Sequence, residues 1–180
     1  VVLKVESSDI LHKTEAGAVA LDLRDAASVA AAFADVTASA RAYLPEARIE
    51  GVGVHEMVTG AVELIAGIKR DPTFGPVILL GAGGIMVEVM GDVALRVAPI
   101  DRAEARAMIG ELAGLALLTG ARGRPRADID AVVEVLVSLS DLALATPSLA
   151  ELDINPLMVL ADGAGVRAAD ALITIAPEPV

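Results

Sequence analysis

Near the end of the chain, in the stretch ELDINPLMVL (151–160), an aspartate and an asparagine stand two residues apart, Asp153 and Asn155. In a strand that spacing turns both side chains to one face, about 6 to 7 Å apart. The turn-rich ADGAG follows and then VRAADALITI (166–175), which together predict a hairpin. With the turn centred between Asp162 and Gly163, cross-strand partners carry numbers that sum to 325, and Asn155 faces Asp170. Their Cα atoms would lie about 4.5 to 5.5 Å apart. Three oxygen donors on one sheet face suit a hard cation such as Mg²⁺, which keeps waters and phosphate oxygens as its other ligands. The same pattern also describes a solvent-facing strand pair with its polar residues outward. A register slip of one residue would scatter the oxygens.

Two further residues could act on phosphate. Lys4 is the only charge in the opening run VVLKV. It is either an edge lysine that guards the sheet from aggregation or a cation that reaches from a strand into a cleft. His12 follows in DILHKTEAGAV (9–19), beside Lys13, Glu15 and Gly17. A lone loop histidine is commonly just a surface residue. This one also has the parts of a phosphoryl acceptor: a neutral nucleophile, a nearby cation and a pliable backbone.

Composition narrows the choices. Lys and Arg number 14 against 25 Asp and Glu, a net charge of -11, which disfavours nucleic acid and anionic membranes as partners. A bound anion must therefore be held by local devices. Aromatics make up only 2% of the chain, so bases find no stacking platform. The absence of Cys excludes disulfides and thiolate metal sites. The longest uncharged run, Pro72 to Val87, contains four glycines and two prolines, and it is shorter than the roughly 20 apolar residues of a membrane span. With no signal peptide ahead of the first strand, the reading is a soluble, cytoplasmic protein. The chain opens without Met inside that strand, so a removed upstream stretch is expected.

These residues need elements to hold them. Val1–Val5 and Ala18–Leu23 read as strands, with a polar loop from Glu6 to Gly17 between them. Asp25 caps a helix from Ala26 to about Leu44, with Val29, Phe33, Val36, Ala40 and Tyr43 at helical spacing. In AVELIAGIKR (61–70), Val62, Leu64, Ala66 and Ile68 share one strand face, and Glu63 and Lys69 share the other. Further strands are expected at Val77–Leu80, in MVEVM (86–90) after the loop GAGGI (81–85), and at Val93–Val97. Pro99 and Asp101 switch the chain to a helix from Arg102 to Thr119, breaking near Gly110 or Gly114, and Ile129–Leu144 forms another. Strands, helices, then strands with hairpin connections indicate α/β of the α+β kind. Met86 stands where a dinucleotide loop would need its third glycine, so that reading fails.

Taken together, DILHKTEAGAV, HEMVTGAVELIAGIKRDPTFGPVILLGAGGIMVEV, RVAPID, ELDINPLMVL and AADALI resemble the ATP-grasp domain of NDP-forming acyl-CoA synthetases, and more distantly the β subunit of succinyl-CoA synthetase. The resemblance implies an ATP-grasp fold of two lobes with mixed and antiparallel sheets, lacking an N-terminal part. It implies one domain over 1–180, with roughly 1–100 supplying nucleotide-binding strands and loop and 101–180 the helices and the metal-binding hairpin. It further implies an acid–CoA ligase that uses ATP/ADP and Mg²⁺ and passes phosphoryl from ATP to a histidine, then to an acyl group that is exchanged for CoA.

By that resemblance Lys4 binds phosphate and His12 accepts and carries the phosphoryl group. Glu56, Met57 and Val58 form the hinge segment along adenine and ribose, Glu63 faces the nucleotide, and Asp153, Asn155 and Asp170 form the Mg²⁺ corner. A CoA-binding and ligase domain or subunit is the implied partner, with a homo-oligomer left open. The chain departs from the family pattern at Ala18 in place of a second glycine, at Ala82, and at His55 in place of a glutamine. Ala18 would stiffen the loop if that backbone needed positive φ. Two other readings stand beside the ligase: the ATP-grasp region of a protein acetyltransferase, and a truncated binding or assembly module without turnover.

Overall fold

The structure, a computed structural model, describes residues 1–83, 91–120, 123 and 125–176. It divides into two compact units, Val1–Thr59 and Gly60–Val180.

The first unit is a three-stranded antiparallel sheet with one long helix. Strands β1 (Val2–Glu6), β2 (Val19–Ala20) and β3 (Gly51–His55) lie in the order β2-β1-β3. Helix α1 (Ala26–Tyr43) begins at Asp25, whose carboxylate accepts the Ser28 N–H at 2.7 Å while the Ser28 hydroxyl accepts the Asp25 N–H at 3.2 Å. This reciprocal pairing satisfies backbone groups that the helix itself leaves open. The buried stripe of α1 is Ala32, Val36 and Ala40, of which Val36 and Ala40 pack with Val5, Ile10, Ala16 and Ala18.

Two expectations are corrected here. Phe33 and Tyr43 are more than half exposed, at 52% and 53%, because the stripe runs through Ala32 at steps of four and Phe33 lies about 100° round the helix from it. The second strand ends at Ala20 instead of Leu23, where Asp22 takes a left-handed φ of 56° and turns the chain out of the ladder.

Among the described residues the second unit is a six-stranded antiparallel sheet backed by helices. Strands β4 (Val62–Asp71), β5 (Gly75–Ala82), β6 (Val93–Val97), β7 (Leu149–Val159) and β8 (Val166–Ala168) follow the order β6-β5-β4-β7-β8, and β9 (Ala171–Ile175) also pairs with β7. Helices α2 (Arg102–Glu111), α3 (Leu115–Leu118) and α4 (Ile129–Ala145) supply the cover. Leu64, Ala66 and Ile68 of β4, Ile78 and Leu80 of β5, and Leu157 and Val159 of β7 form one core with Met108, Ile109, Val132, Val133, Leu136 and Leu139. The two faces expected in β4 are present, since Glu63 and Lys69, which flank Leu64, Ala66 and Ile68, are exposed where those three are buried.

The helix ends follow the capping residues. Asp101 accepts the N–H groups of Ala103 and Glu104 at 2.9 Å each, and Gly114 separates α2 from α3, where the sequence predicts a break. Asp92 fixes that break by accepting the N–H groups of Ala113 and Gly114 at 2.8 and 2.9 Å. Arg70 locks the far end of α4, donating to the carbonyls of Ala143, Thr146 and Leu149. Arg96 of β6 pairs with Glu104 and Glu111 of α2, and its side chain holds the Glu111 carboxyl below the usual range. The strand expected at 86–90 and the last two residues of the loop before it, 84 and 85, lie outside the described residues.

Candidate functional site

In the first unit the candidate residues occupy one sheet and one loop. Lys4 sits on β1, the central strand, opposite Val19 on one side and Gly53 on the other. It is therefore not an edge lysine. Leu3 and Val5 turn to the core, which leaves Lys4 and Glu6 on the opposite face with Gly53 and His55. Glu6 and His55 meet across Gly53, with His55 Nε2 3.6 Å from Glu6 Oε1 and both side chains about half exposed.

His12 is exposed in a short loop whose ends are anchored. Ile10 is buried before it, and Ala16 and Ala18 are buried after it. Between them the chain makes compact turns: Ala16 N–H donates to the His12 carbonyl at 3.2 Å, Gly17 N–H to Thr14 at 3.1 Å and Ala18 N–H to Lys13 at 2.8 Å. The left-handed residue is Gly17, with φ of 61°, and Ala18 is not in that region. The alanine at 18 thus imposes no strain, and its methyl group fills the core instead. Glu56, Met57 and Val58 follow β3 outside any regular element, Glu56 exposed and the other two half-buried.

In the second unit the register of the last ribbon is the decisive feature. Leu157 pairs with Ala168, Met158 with Arg167 and Val159 with Val166, and beyond them Ile154 pairs with Ala171 and Asp153 with Leu172. Every one of these pairs sums to 325, the register expected from the turn residues. Between β8 and β9 the Asn155 N–H donates to the Asp170 carbonyl at 3.1 Å, which sets these two residues opposite one another. Asp153 is two residues along on the same side. Against β4, by contrast, β7 carries one extra residue between Ile154 and Leu157. This bulge at Asn155 and Pro156 releases that segment from the β4 register, so its alignment is set by Asp170.

The donor set is two carboxylates and an amide. These are hard oxygen donors, and one or two carboxylates are what Mg²⁺ takes from a protein when phosphates supply other ligands. Among the described residues no group of three His, Cys, Asp or Glu side chains forms an all-protein metal cage. The residues present fit a cation shared with a phosphate-bearing ligand.

Glu63 is exposed on β4, opposite Met158. Gly83 donates its N–H to the Glu63 carbonyl at 2.8 Å and lies so close that a Cβ on it would come within 2.6 Å of that carbonyl. Sequence reasoning missed Gly83 in this role, because a close approach between residues twenty apart leaves no periodic trace.

Residues 1–175 match the family model of the ATP-grasp domain. The chain belongs to the ATP-grasp family. Within it, the chain is 40% identical over 164 residues to the β subunit of acetate–CoA ligase [ADP-forming] I of Pyrococcus furiosus, covering 91% of this chain and 71% of that one. It is 45% identical over 166 residues to acetate–CoA ligase [ADP-forming] I of Archaeoglobus fulgidus, covering 92% of this chain but 24% of that ligase. The chain thus spans about a quarter of the single-chain ligase and close to three quarters of the separate β subunit.

Among solved structures, a dinucleotide forming acetyl-coenzyme A synthetase of Ca. Korarchaeum cryptofilum in complex with coenzyme A and Ca-AMPCP matches with a TM-score of 0.91 and 37% identity, over 97% of this chain and 75% of that chain. The same synthetase with Mg-AMPPCP, its phosphohistidine segment pointing towards the nucleotide binding site, matches with a TM-score of 0.81 and 33% identity, over 97% of this chain and 76% of that chain. The fold expected from the sequence is borne out. No helix among the described residues is long and apolar enough to cross a membrane.

Proposed function

We propose that the chain is the nucleotide-binding portion of a cytoplasmic, NDP-forming acid–CoA ligase, and that His12 takes the phosphoryl group of ATP. What supports this most is His12 itself: an exposed imidazole on a short anchored loop that leads directly from the strand bearing Lys4. The relatives named above, which are ADP-forming acetate–CoA ligases and a synthetase with a phosphohistidine segment, support the same reaction class.

A neutral ring nitrogen of His12 attacks the γ-phosphorus. The N–P bond forms as the bridging P–O bond breaks, ADP leaves with that electron pair, and the ring's remaining N–H proton passes to solvent. Phosphoryl transfer asks mainly for alignment and charge neutralisation. Lys4 neutralises phosphate oxygens from its sheet face. Glu56, Met57 and Val58 line adenine and ribose, and Glu63 faces the nucleotide. Asp153, Asn155 and Asp170 would hold Mg²⁺, which when bound would offset charge on the phosphate oxygens. These local groups act within a chain of net charge -11 whose overall field repels a polyphosphate. A CoA-binding and ligase domain or subunit then receives the phosphoryl group and completes acyl-CoA formation.

The test is incubation with Mg-ATP carrying a radiolabelled γ-phosphate. Acid-labile, alkali-stable label that maps to His12 by mass spectrometry and vanishes in His12→Gln is expected. Absence of label, or label that survives in His12→Gln, overturns the assignment.

A further inference from the structure

The turn that closes the last ribbon is strapped to the segment entering α4. Asp128 is 7% exposed and uses its two carboxylate oxygens for different tasks. Oδ1 accepts the Ala131 N–H at 3.0 Å and caps α4, whereas Oδ2 accepts the Gly165 N–H at 2.8 Å, at the end of the turn between β7 and β8. The backbone adds two ties, from the Asp128 N–H to the Leu160 carbonyl and from the Asp162 N–H to the Arg126 carbonyl, both 2.9 Å. The N–H groups of Ala131 and Gly165 hold the Asp128 carboxyl below the usual range, as expected of a charged double acceptor.

This strap bears on the site because of the bulge. At Asn155 and Pro156 the β4 register is interrupted, so β4 does not by itself dictate which residue faces Asp170. A ribbon freed at its turn can slip by one residue, and a slip of one turns every side chain to the other face. The turn at 161–165 therefore sets whether Asn155 and Asp170 meet.

We infer that Asp128 is a positioning residue for the Asp153, Asn155 and Asp170 corner, acting through Gly165 to hold the ribbon in register. The inference rests on the reading of that corner as the Mg²⁺ site. The α4 cap and the strap are separable. Asp128→Ser retains one oxygen, which suffices to cap the helix, and lacks the second oxygen needed by Gly165.

In Asp128→Ser, amide hydrogen exchange at Asn155 is expected to accelerate about tenfold, as for loss of one hydrogen bond to a charged group, while exchange in the α4 interior stays unchanged. Calorimetric titration of ADP with and without Mg²⁺ gives the functional arm: the Mg²⁺-dependent gain in affinity shrinks about tenfold, and Mg²⁺-free ADP binding is unaltered. Asp153→Asn is the control. If it leaves the Mg²⁺-dependent gain intact, the corner reading falls and the inference falls with it. If Asp153→Asn abolishes the gain but Asp128→Ser alters neither the gain nor Asn155 exchange, the corner stands and the strap inference is overturned. Accelerated exchange throughout α4 in Asp128→Ser assigns the residue to helix stability and likewise overturns it.

Discussion

Gly83 lies against the backbone of Glu63, its N–H bonded to the Glu63 carbonyl at 2.8 Å, with no room between them for a methyl group. A Cβ at position 83 would stand 2.6 Å from both the carbonyl carbon and oxygen of Glu63, so backbone has to move. Gly83→Ala is expected to cost about 1–3 kcal/mol and to weaken ADP binding together with stability. Denaturant unfolding and calorimetry check both, and unchanged ADP affinity would separate Glu63 from the nucleotide.

The loop bearing His12 depends on Gly17. With φ of 61° there, an alanine meets both backbone strain and Ser39, whose Cβ would lie 3.2 Å away. Gly17→Ala is expected to lose about 1–2 kcal/mol, and phosphorylation of His12 should slow as the turn that presents it distorts. Ala18→Gly provides the contrast. It empties a fully buried site without relieving strain, so it lowers stability by about 1 kcal/mol. A stabilised Ala18→Gly protein would contradict this account.

Core and surface positions that look alike in the sequence should separate by stability. Leu136 of α4 is fully buried, and Leu136→Ala is expected to cost about 2–5 kcal/mol. Phe33 is a larger apolar residue on a helix, but it is exposed, and Phe33→Ala should change stability by less than about 0.5 kcal/mol. Unfolding midpoints at matched slopes test the pair. A large loss at Phe33 would mean that its face is covered in solution.

Acid should destabilise the fold in a defined direction. Asp25 is held below the usual carboxylate range by the Ser28 N–H and hydroxyl, Asp71 by the N–H groups of Phe74 and Thr73, Asp128 by those of Ala131 and Gly165, and Glu111 by Arg96. A carboxyl whose pKa is lower folded than unfolded contributes fully above its unfolded value, and that contribution disappears as pH falls through the folded one. Tm is therefore expected to be level down to about pH 5 and to decline below it. A Tm series from pH 7 to pH 3 by scanning calorimetry checks the sign, and a rise on acidification would refute it.

Arg70 should resist conservative replacement. Its planar fork reaches three carbonyls around the end of α4, a geometry that a lysine ammonium cannot reproduce. Arg70→Lys is expected to destabilise by about 1–3 kcal/mol, with faster amide exchange in the last turn of α4. An unchanged unfolding free energy would show the fork to be incidental.

Much of this was legible from neighbouring residues. The turn chemistry of ADGAG sets the register of the last ribbon, and with it the pairing of Asn155 and Asp170, because the partners are joined by a tight turn. Asp25 and Asp101 likewise mark helix ends through contacts within a few residues. Where the partner is distant, the sequence carries no equivalent signal. Lys4 reads as easily on an edge as in a centre until β3 arrives from residues 51–55 to flank it. The buried face of α1 could not be chosen between Ala32 and Phe33 until Ile10, Ala16 and Ala18 packed against Val36 and Ala40 and fixed which side of the helix is covered.

The sequence by itself determined the elements, the fold family and the ribbon register, because side-chain period, capping and turn geometry act over a few residues. Only the tertiary structure decided which face of each element is covered, that Gly83 must yield space to Glu63, and that Asp128 ties α4 to the ribbon turn. Those outcomes depend on packing and on hydrogen bonds between segments distant in the sequence, which local spacing does not encode.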